Sequence, residues 1–298
     1  MKRVCIKDIA MGKKIESTFI IKKILSKEGN NVLIYMGDIT GDIKALVPDP
    51  KFLLKVGDVI KVIGVLSNLF EASFCSKISE YNIEDYIPTV ERPIEDIMRE
   101  LDTISKEEFN SIECITLNDY FFKNEAFLSK FKKAIGGVRQ HHNYIGGLAE
   151  HTLNVMYLAK VLAHRYNCRN KEIAILAAKL HDIGKIEEMY YDGPFNYTLR
   201  GDMEGHIVIG ITMLEEAFKA NTDLYTEDFK LRLKGCVIQH HGKPEFGSPK
   251  APNSEEAYIV HYADYIDATM NKIEIIKKDV PPNNWSAYDR RIEGRIYV

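Results

Sequence analysis

The sequence predicts two domains, a small all-β barrel followed by an all-α bundle, and three observations predict them. The chain has 298 residues, enough for about two domains at ~100–200 residues each. The first ~85 residues alternate short β-branched and aromatic runs with turn residues. Beyond them, apolar residues recur at spacings of three and four, the helical period. Hydrophobic residues make up 45% of the chain and charged residues 28%. That is ordinary for a globular protein, and no internal repeat or low-complexity run interrupts it.

The barrel is expected over 1–86. Its strands are "IESTFIIKKIL" (15–25), "NVLIYMGDI" (31–39), "IKALV" (43–47), "DVIKVIGVL" (58–66) and "ASFCSKI" (72–78). Gly29-Asn30, Thr40-Gly41-Asp42 and Val56-Gly57-Asp58 punctuate them as turns. Five strands of this length suit a closed or partly closed barrel. An OB-fold fits, and an SH3-like barrel fits the count nearly as well. Residues 1–79 hold 13 Lys/Arg against 8 Asp/Glu, a net of +5, which leaves −8 for the rest of a chain whose net charge is −3. A mildly basic barrel suits a polyanion, or is simply a solvated lysine-rich surface.

Residues 87–125 are expected to be a helical linker. "YIPTVERPIEDIMREL" carries two prolines and then an apolar three-to-four spacing, and Ser105 with Glu108 reads as a capping box opening a helix over "FNSIECITLNDYFF". A helical domain follows over 126–278. The Pro/Asn-broken segment 279–298 is expected to pack as a tail. The five cysteines are scattered with no CxxC pair, so no disulfide framework or zinc finger is expected, and free thiols fit a reducing cytoplasm. The opening residues lack the apolar run of a secretory signal. No stretch approaches the ~20 apolar residues of a membrane span.

The helical domain places a histidine or aspartate on five separate apolar faces. His151 falls with Leu148, Val155, Leu158 and Leu162. His181 falls with Ala174 and Ala177, with Asp182 beside it. His206 falls with Ile209, Gly210, Met213 and Ala217. His240 falls with Phe229, Leu233 and Val237, with His241 beside it, and Asp264 falls with Ala257, Val260 and Ala268. One such residue is ordinarily a hydrogen-bonded core histidine. Five helices doing it together point to a metal, because imidazole and carboxylate are standard ligands and a bundle core is where they can converge. A divalent cation also offsets buried carboxylate charge.

The order His151, His181-Asp182, His206, His240-His241, Asp264 resembles the HD-domain superfamily of metal-dependent phosphohydrolases. The minimal H…HD…D signature holds one metal; the added His206 and His240-His241 resemble the two-metal branch. "HHNYIGGLAEHT" and "HDIGK", joined to an OB-like barrel, are similar to the YhaM-type 3′→5′ exoribonucleases. "HDIGKIEEM" lacks the GYP of cyclic-di-GMP phosphodiesterases.

The resemblance implies that His151, His181, Asp182 and Asp264 hold one cation. It implies that Asp182, His206, His240 and His241 hold a second, with Asp182 bridging. It favours manganese, although the ligand types also suit iron, cobalt, nickel or zinc. Two such cations activate a shared water and clamp phosphate oxygens. Asp182 and Lys185 are the catalytic candidates. Lys185 would place a positive charge beside the developing phosphorane, or else complements a helix C-terminus.

Arg139, His141 and His142 precede the His151 helix. They are candidates for contacting RNA, or cap a solvent-facing loop. In the barrel, Phe19 and Tyr35 are candidate stacking residues, with Lys22 and Lys23 interspersed, although strand aromatics more often fill a core. The leading expectation is therefore a metal-dependent 3′→5′ exoribonuclease acting on single-stranded RNA, with single-stranded DNA as a further substrate class and self-association left open. The alternatives are a phosphohydrolase of nucleotides or cyclic dinucleotides, and a nucleic-acid-binding protein with a vestigial site.

Overall fold

The computed structural model describes residues 4–138, 142–191, 193–278 and 280–298. The chain divides into two compact units: Met1–Thr89 with Tyr190–Asn196, and Val90–Met189 with Tyr197–Val298. Most of the segment expected as a linker thus falls in the second unit with the other helices.

The first unit is built on β1 (Lys14–Glu28), β2 (Asn31–Asp38), β3 (Gly41–Pro48), β4 (Val59–Leu66) and β5 (Phe70–Lys77). They close in the order β1-β2-β3-β5-β4, the connectivity of an OB-type barrel. Strand β1 makes closure possible by serving two neighbours. Lys14–Ile20 pairs with β4, and Ile20–Glu28 pairs with β2. Register shifts after Ile21 and Ile24 bend it between the two. The seam is the short parallel pairing of Ala45 with Phe70 and Leu46 with Glu71. Phe19, Ile21, Val32, Ile34, Met36, Val47, Ile60, Val62 and Phe70 fill the interior. Phe19 is fully buried there, so it packs the core and is not a surface stacking platform.

The second unit holds α1 (Ile94–Glu108), α2 (Ile112–Phe122), α3 (Glu125–Phe131), α4 (Gly147–Arg165), α5 (Lys171–Leu180), α6 (Lys185–Glu188), α7 (Leu199–Ala220), α8 (Glu227–Gln239) and α9 (Glu255–Lys277). The two-residue strands β6 (Met189–Tyr190) and β7 (Asn196–Tyr197) pair between α6 and α7. Side-chain oxygens of Ser111, Asn124, Thr198, Thr226 and Ser254 cap their helices. No described helix is long and apolar enough to cross a membrane.

The expected capping box at Ser105 is not a helix start. Helix α1 runs through it, and the cap is Ser111, whose Oγ accepts from Cys114 N. Ser105 Oγ instead donates to Leu101 O and accepts from buried Lys179 Nζ at 2.7 Å. Lys179 also donates to Asn118 Oδ1 and lies 3.7 Å from the Phe122 ring centre, tying α1, α2 and α5 together. Burial pushes its ammonium down to about 7.

Candidate metal centre

Two of the histidines sit in the same local setting. His181 follows the last residue of α5 and His240 the last of α8. A helix leaves its last carbonyls without intrahelical donors. Each ring uses Nδ1–H to satisfy one of them: His181 donates to Ala178 O at 2.8 Å and His240 to Val237 O at 2.7 Å. Spending the proton at Nδ1 leaves an Nε2 lone pair on the far edge of each ring, the state a metal ligand needs.

The same polarity recurs at the other three rings. His241 Nδ1 donates to Phe246 O at 2.9 Å, His151 Nδ1 to Asp267 Oδ2 at 2.6 Å and His206 Nδ1 to Glu188 Oε1 at 3.1 Å. The inner edges converge on Asp182. Its Oδ2 lies 3.3 Å from His181 Nε2 and 3.5 Å from His151 Nε2, and His151 Nε2 is 3.2 Å from Asp264 Oδ1. Its Oδ1 faces His206 Nε2 at 3.5 Å and His240 Nε2 at 3.6 Å. One carboxylate therefore turns an oxygen toward each of two histidine groups, and His241 joins the second group beside His206 and His240.

His206 is delivered by a break in α7. Gly205 has φ 71° and ψ 157°, a region open essentially only to glycine, so the helix is two segments. The second segment starts at His206, whose N–H, left without an intrahelical partner by the break, is capped by Glu188 Oε1 at 3.0 Å. The carboxylate thus orients both backbone and ring of the same residue. Gly184 lets the turn after His181-Asp182 press against α7. A Cβ there would stand 2.0 Å from His206 O and 2.7 Å from Gly210 N.

The donors fit divalent cations. Among the described residues, Asp182 Oδ1 and His206 Nε2 are buried without hydrogen-bond partners, a costly state unless something binds them. The candidate ligand atoms of His151, His181 and Asp182 lie within 4.8 Å of one another, as do those of His206, His240 and His241 and those of His181, His240 and Asp264. Burial, with His241 and His181 adjacent, pushes the His240 imidazole well down, which favours the neutral ligand form. Burial also acts on His151, but the carboxylates of Asp182, Asp264 and Asp267 outweigh it and raise this ring. Burial opposes ionisation of Asp182, yet Lys185 and the adjacent histidines hold it well below the usual carboxylate range. Lys185 Nζ pairs with Asp182 Oδ2 at 2.6 Å and donates to Gly136 O at 2.8 Å.

Asp267 and Glu188 were not among the expected site residues. Asp267 is three residues past Asp264, one turn along the same face, which is the signal that points to it. Its Oδ2 also accepts from His142 Nε2 at 2.7 Å, and its Oδ1 accepts from Asn154 Nδ2 at 2.8 Å. His142 is therefore 1% exposed inside a chain that continues through Tyr144 to Glu150, not a solvent-facing loop residue. Arg139 and His141 lie outside the described residues. In the barrel, Lys22 Nζ reaches Asp38 O and Gly41 O across the β2–β3 turn. Lys23, Tyr35 and Lys44 are exposed and mutually opposed, Lys23 pairing with Tyr35 and Tyr35 with Lys44.

Residues 148–269 match the HD domain family. The chain is 30% identical over 307 residues to the 3′-5′ exoribonuclease YhaM of Bacillus subtilis strain 168, covering 96% of this chain and 95% of that protein. The YhaM of Geobacillus sp. strain WCH70 is 28% identical over 305 residues, at 96% and 92% coverage. That of Listeria welshimeri is 26% identical over 312 residues, at 97% and 96%. A five-stranded barrel and an HD-bearing helical unit, matched over nearly the whole chain at this identity, make it a member of the YhaM family of 3′-5′ exoribonucleases.

Proposed function

We propose that this chain hydrolyses single-stranded RNA stepwise from its 3′ end, releasing nucleoside 5′-monophosphates, with two divalent cations of which manganese is the favoured identity. The observation that carries the reading is the single buried carboxylate of Asp182 with one oxygen facing His151 and His181 and the other facing His206 and His240. His151, His181, Asp182 and Asp264 would hold one cation. Asp182, His206, His240 and His241 would hold the other. When bound, such a pair polarises phosphoryl oxygens and supplies a hydroxide-like nucleophile near neutral pH.

The protein's own residues do the rest. The five Nδ1–H donations lock each ring with Nε2 inward, so the ligand set is organised before substrate arrives. Burial makes Lys185 costly to charge, but the Asp182 carboxylate keeps it protonated. It is positioned to offer its charge to a phosphate oxygen as negative charge grows there. In the barrel, the exposed row Lys23, Tyr35 and Lys44 joins one stacking surface to two cations. That composition suits single-stranded nucleic acid, DNA as well as RNA. Five free cysteines support a cytoplasmic setting. Family membership gives no support to the small-nucleotide phosphohydrolase alternative.

The test incubates purified protein with 5′-labelled single-stranded RNA and Mn²⁺, beside His181→Ala/Asp182→Ala protein. A ladder shortening from the 3′ end, absent with the double variant, is expected. Intact RNA with metal bound would overturn the reading. The same assay with labelled DNA decides the second substrate class, and sedimentation at several concentrations decides self-association.

A further inference from the structure

The segment after α9, read from sequence as a broken tail, forms a small hairpin in the second unit. Trp285 bridges Tyr297 and Asp289 bridges Gly294, both antiparallel. Ser286 N donates to Ile296 O at 2.8 Å, and Ile296 N donates to Ser286 Oγ at 2.9 Å. Arg291 forks onto the Asp289 carboxylate, with Nη2 to Oδ2 at 2.6 Å, and braces the turn.

The hairpin presents three rings to water. Trp285 is 60% exposed, Tyr288 64% and Tyr297 56%. Trp285 and Tyr297 have ring centres 5.5 Å apart, and the Arg295 guanidinium lies 5.4 Å from the Trp285 ring centre. Arg290 and Arg295 are exposed and, among the described residues, have no acidic partner. Rings left in water serve the core nothing, and exposed apolar clusters commonly mark contact surfaces. Here the unpaired cations Arg290 and Arg295 sit among the rings, outnumbering the one exposed acid of the hairpin, Glu293.

We propose that the hairpin 285–297 is a contact site for single-stranded RNA, with bases stacking on Trp285, Tyr288 and Tyr297 and phosphates meeting Arg290 and Arg295. Charge complementarity selects this occupant: guanidinium groups beside open rings match a polyanion whose bases are unstacked. A duplex keeps its bases stacked on one another, out of reach of the rings. The proposal rests on the exoribonuclease reading, and it adds a site made of residues outside both the candidate cation ligands and the barrel.

The chain contains one tryptophan, so its emission reports this hairpin alone. Metal-free full-length protein in EDTA is titrated with a 12-nucleotide single-stranded oligouridylate, an abasic ribose-phosphate oligomer of equal length and an RNA duplex. Saturable quenching by the oligouridylate, absent with the other two, is expected. Arg290→Glu/Arg295→Glu protein, altered only at exposed positions, should need about tenfold more RNA for the same quenching. Tyr288→Ala should weaken quenching by about tenfold with the Trp285 reporter intact. Unmoved emission while fluorescence anisotropy shows the oligonucleotide bound would overturn the hairpin site and leave the nuclease reading standing. Emission that changes on protein dilution without RNA would overturn it in favour of a second copy of this chain on the rings. Failure of the nuclease reading is seen separately, in the 3′-end ladder with Mn²⁺.

Discussion

Asp267 is the residue on which the first histidine depends. Its Oδ2 receives the His151 and His142 ring protons while Asn154 holds its other oxygen. Burial opposes its charge, but those donors keep the carboxyl well below the usual range. Asp267→Asn can offer His151 an amide N–H and reverse the tautomer. Isothermal titration with Mn²⁺ should show affinity lower by about 10–100-fold, with the metal-free melting temperature nearly unchanged. Equal metal affinity would show that Asp267 only packs. The structure brings the seven candidate ligands together; five were legible as polar residues on apolar stripes, and Asp182 and His241 as their chain neighbours. Asp267 shares the face of Asp264, but its role, like that of Glu188, depends on which ring nitrogen faces outward, and spacing carries no such information. Phe19 and His142 show the converse error: residue type suggested contact with RNA, whereas the strand pleat and the Asp267 network bury them.

Glu172 supplies a second prediction at this scale, away from the centre. Its Oε2 accepts from Asn110 N, Ser111 N and Ser111 Oγ at the start of α2. Burial raises its proton affinity, but these donations outweigh it and leave the carboxyl below its ordinary 4.5. A carboxylate depressed in the folded state contributes stability above its unfolded value and loses it as pH falls through the folded one. Glu172→Gln should therefore cost about 1 kcal/mol near pH 7, discounted for solvent exposure. The gap between variant and wild type should narrow as pH falls below the ordinary glutamate range and through the depressed folded value. Urea melts at pH 7 and at successively lower pH measure both, and a pH-independent difference would contradict the linkage.

Among the elements, α7 shows best what periodicity hides. Its apolar stripe from His206 to Ala217 is continuous in sequence, and a helix was the correct expectation. The break at Gly205 is invisible to that stripe because a glycine inside a helical pattern is ordinarily tolerated. Yet the break creates the new helix start that Glu188 caps, and so sets where His206 stands. Gly205→Ala should cost about 1–3 kcal/mol in stability. It should also lose the weaker of two Mn²⁺ binding steps in titration, while the step assigned to His151, His181 and Asp264 survives. Loss of stability with both steps intact would mean that the kink does not place the ligand. The capping-box expectation failed for a related reason. Ser105 and Glu108 have the right spacing, but Lys179 from α5 claims the Ser105 hydroxyl, a tertiary contact outweighing a local one.

For the molecule as a whole, two domains of the expected classes were legible because the hydrophobic period changes from two to three-to-four along the chain. The OB-type connectivity was not separable from an SH3-like one, since strand count says nothing of which edges meet; the parallel β3–β5 seam decides it. Metal removal is the test at this scale. A ligand that binds only the folded chain adds stability as the logarithm of its free concentration, about 2.7 kcal/mol at one hundred times its dissociation constant. Excess EDTA should lower the melting temperature of the second unit by several degrees and leave the barrel transition in place. Identical melts with and without Mn²⁺ would argue against a structural contribution from the cations.

That ligand set has a consequence beyond chemistry. His151 and Asp264 are separated by more than a hundred positions of chain, and the inward nitrogens and oxygens come from α4, the α5–α6 turn, α7, α8 and α9. The proposed pair of cations, sharing Asp182, would close every intervening loop at once, as a cross-link would, but a reversible one. Starving a cell of the metal would then do more than idle the enzyme. It would loosen the fold toward proteolysis, and metal supply would then set how long each molecule lasts as well as how fast it works.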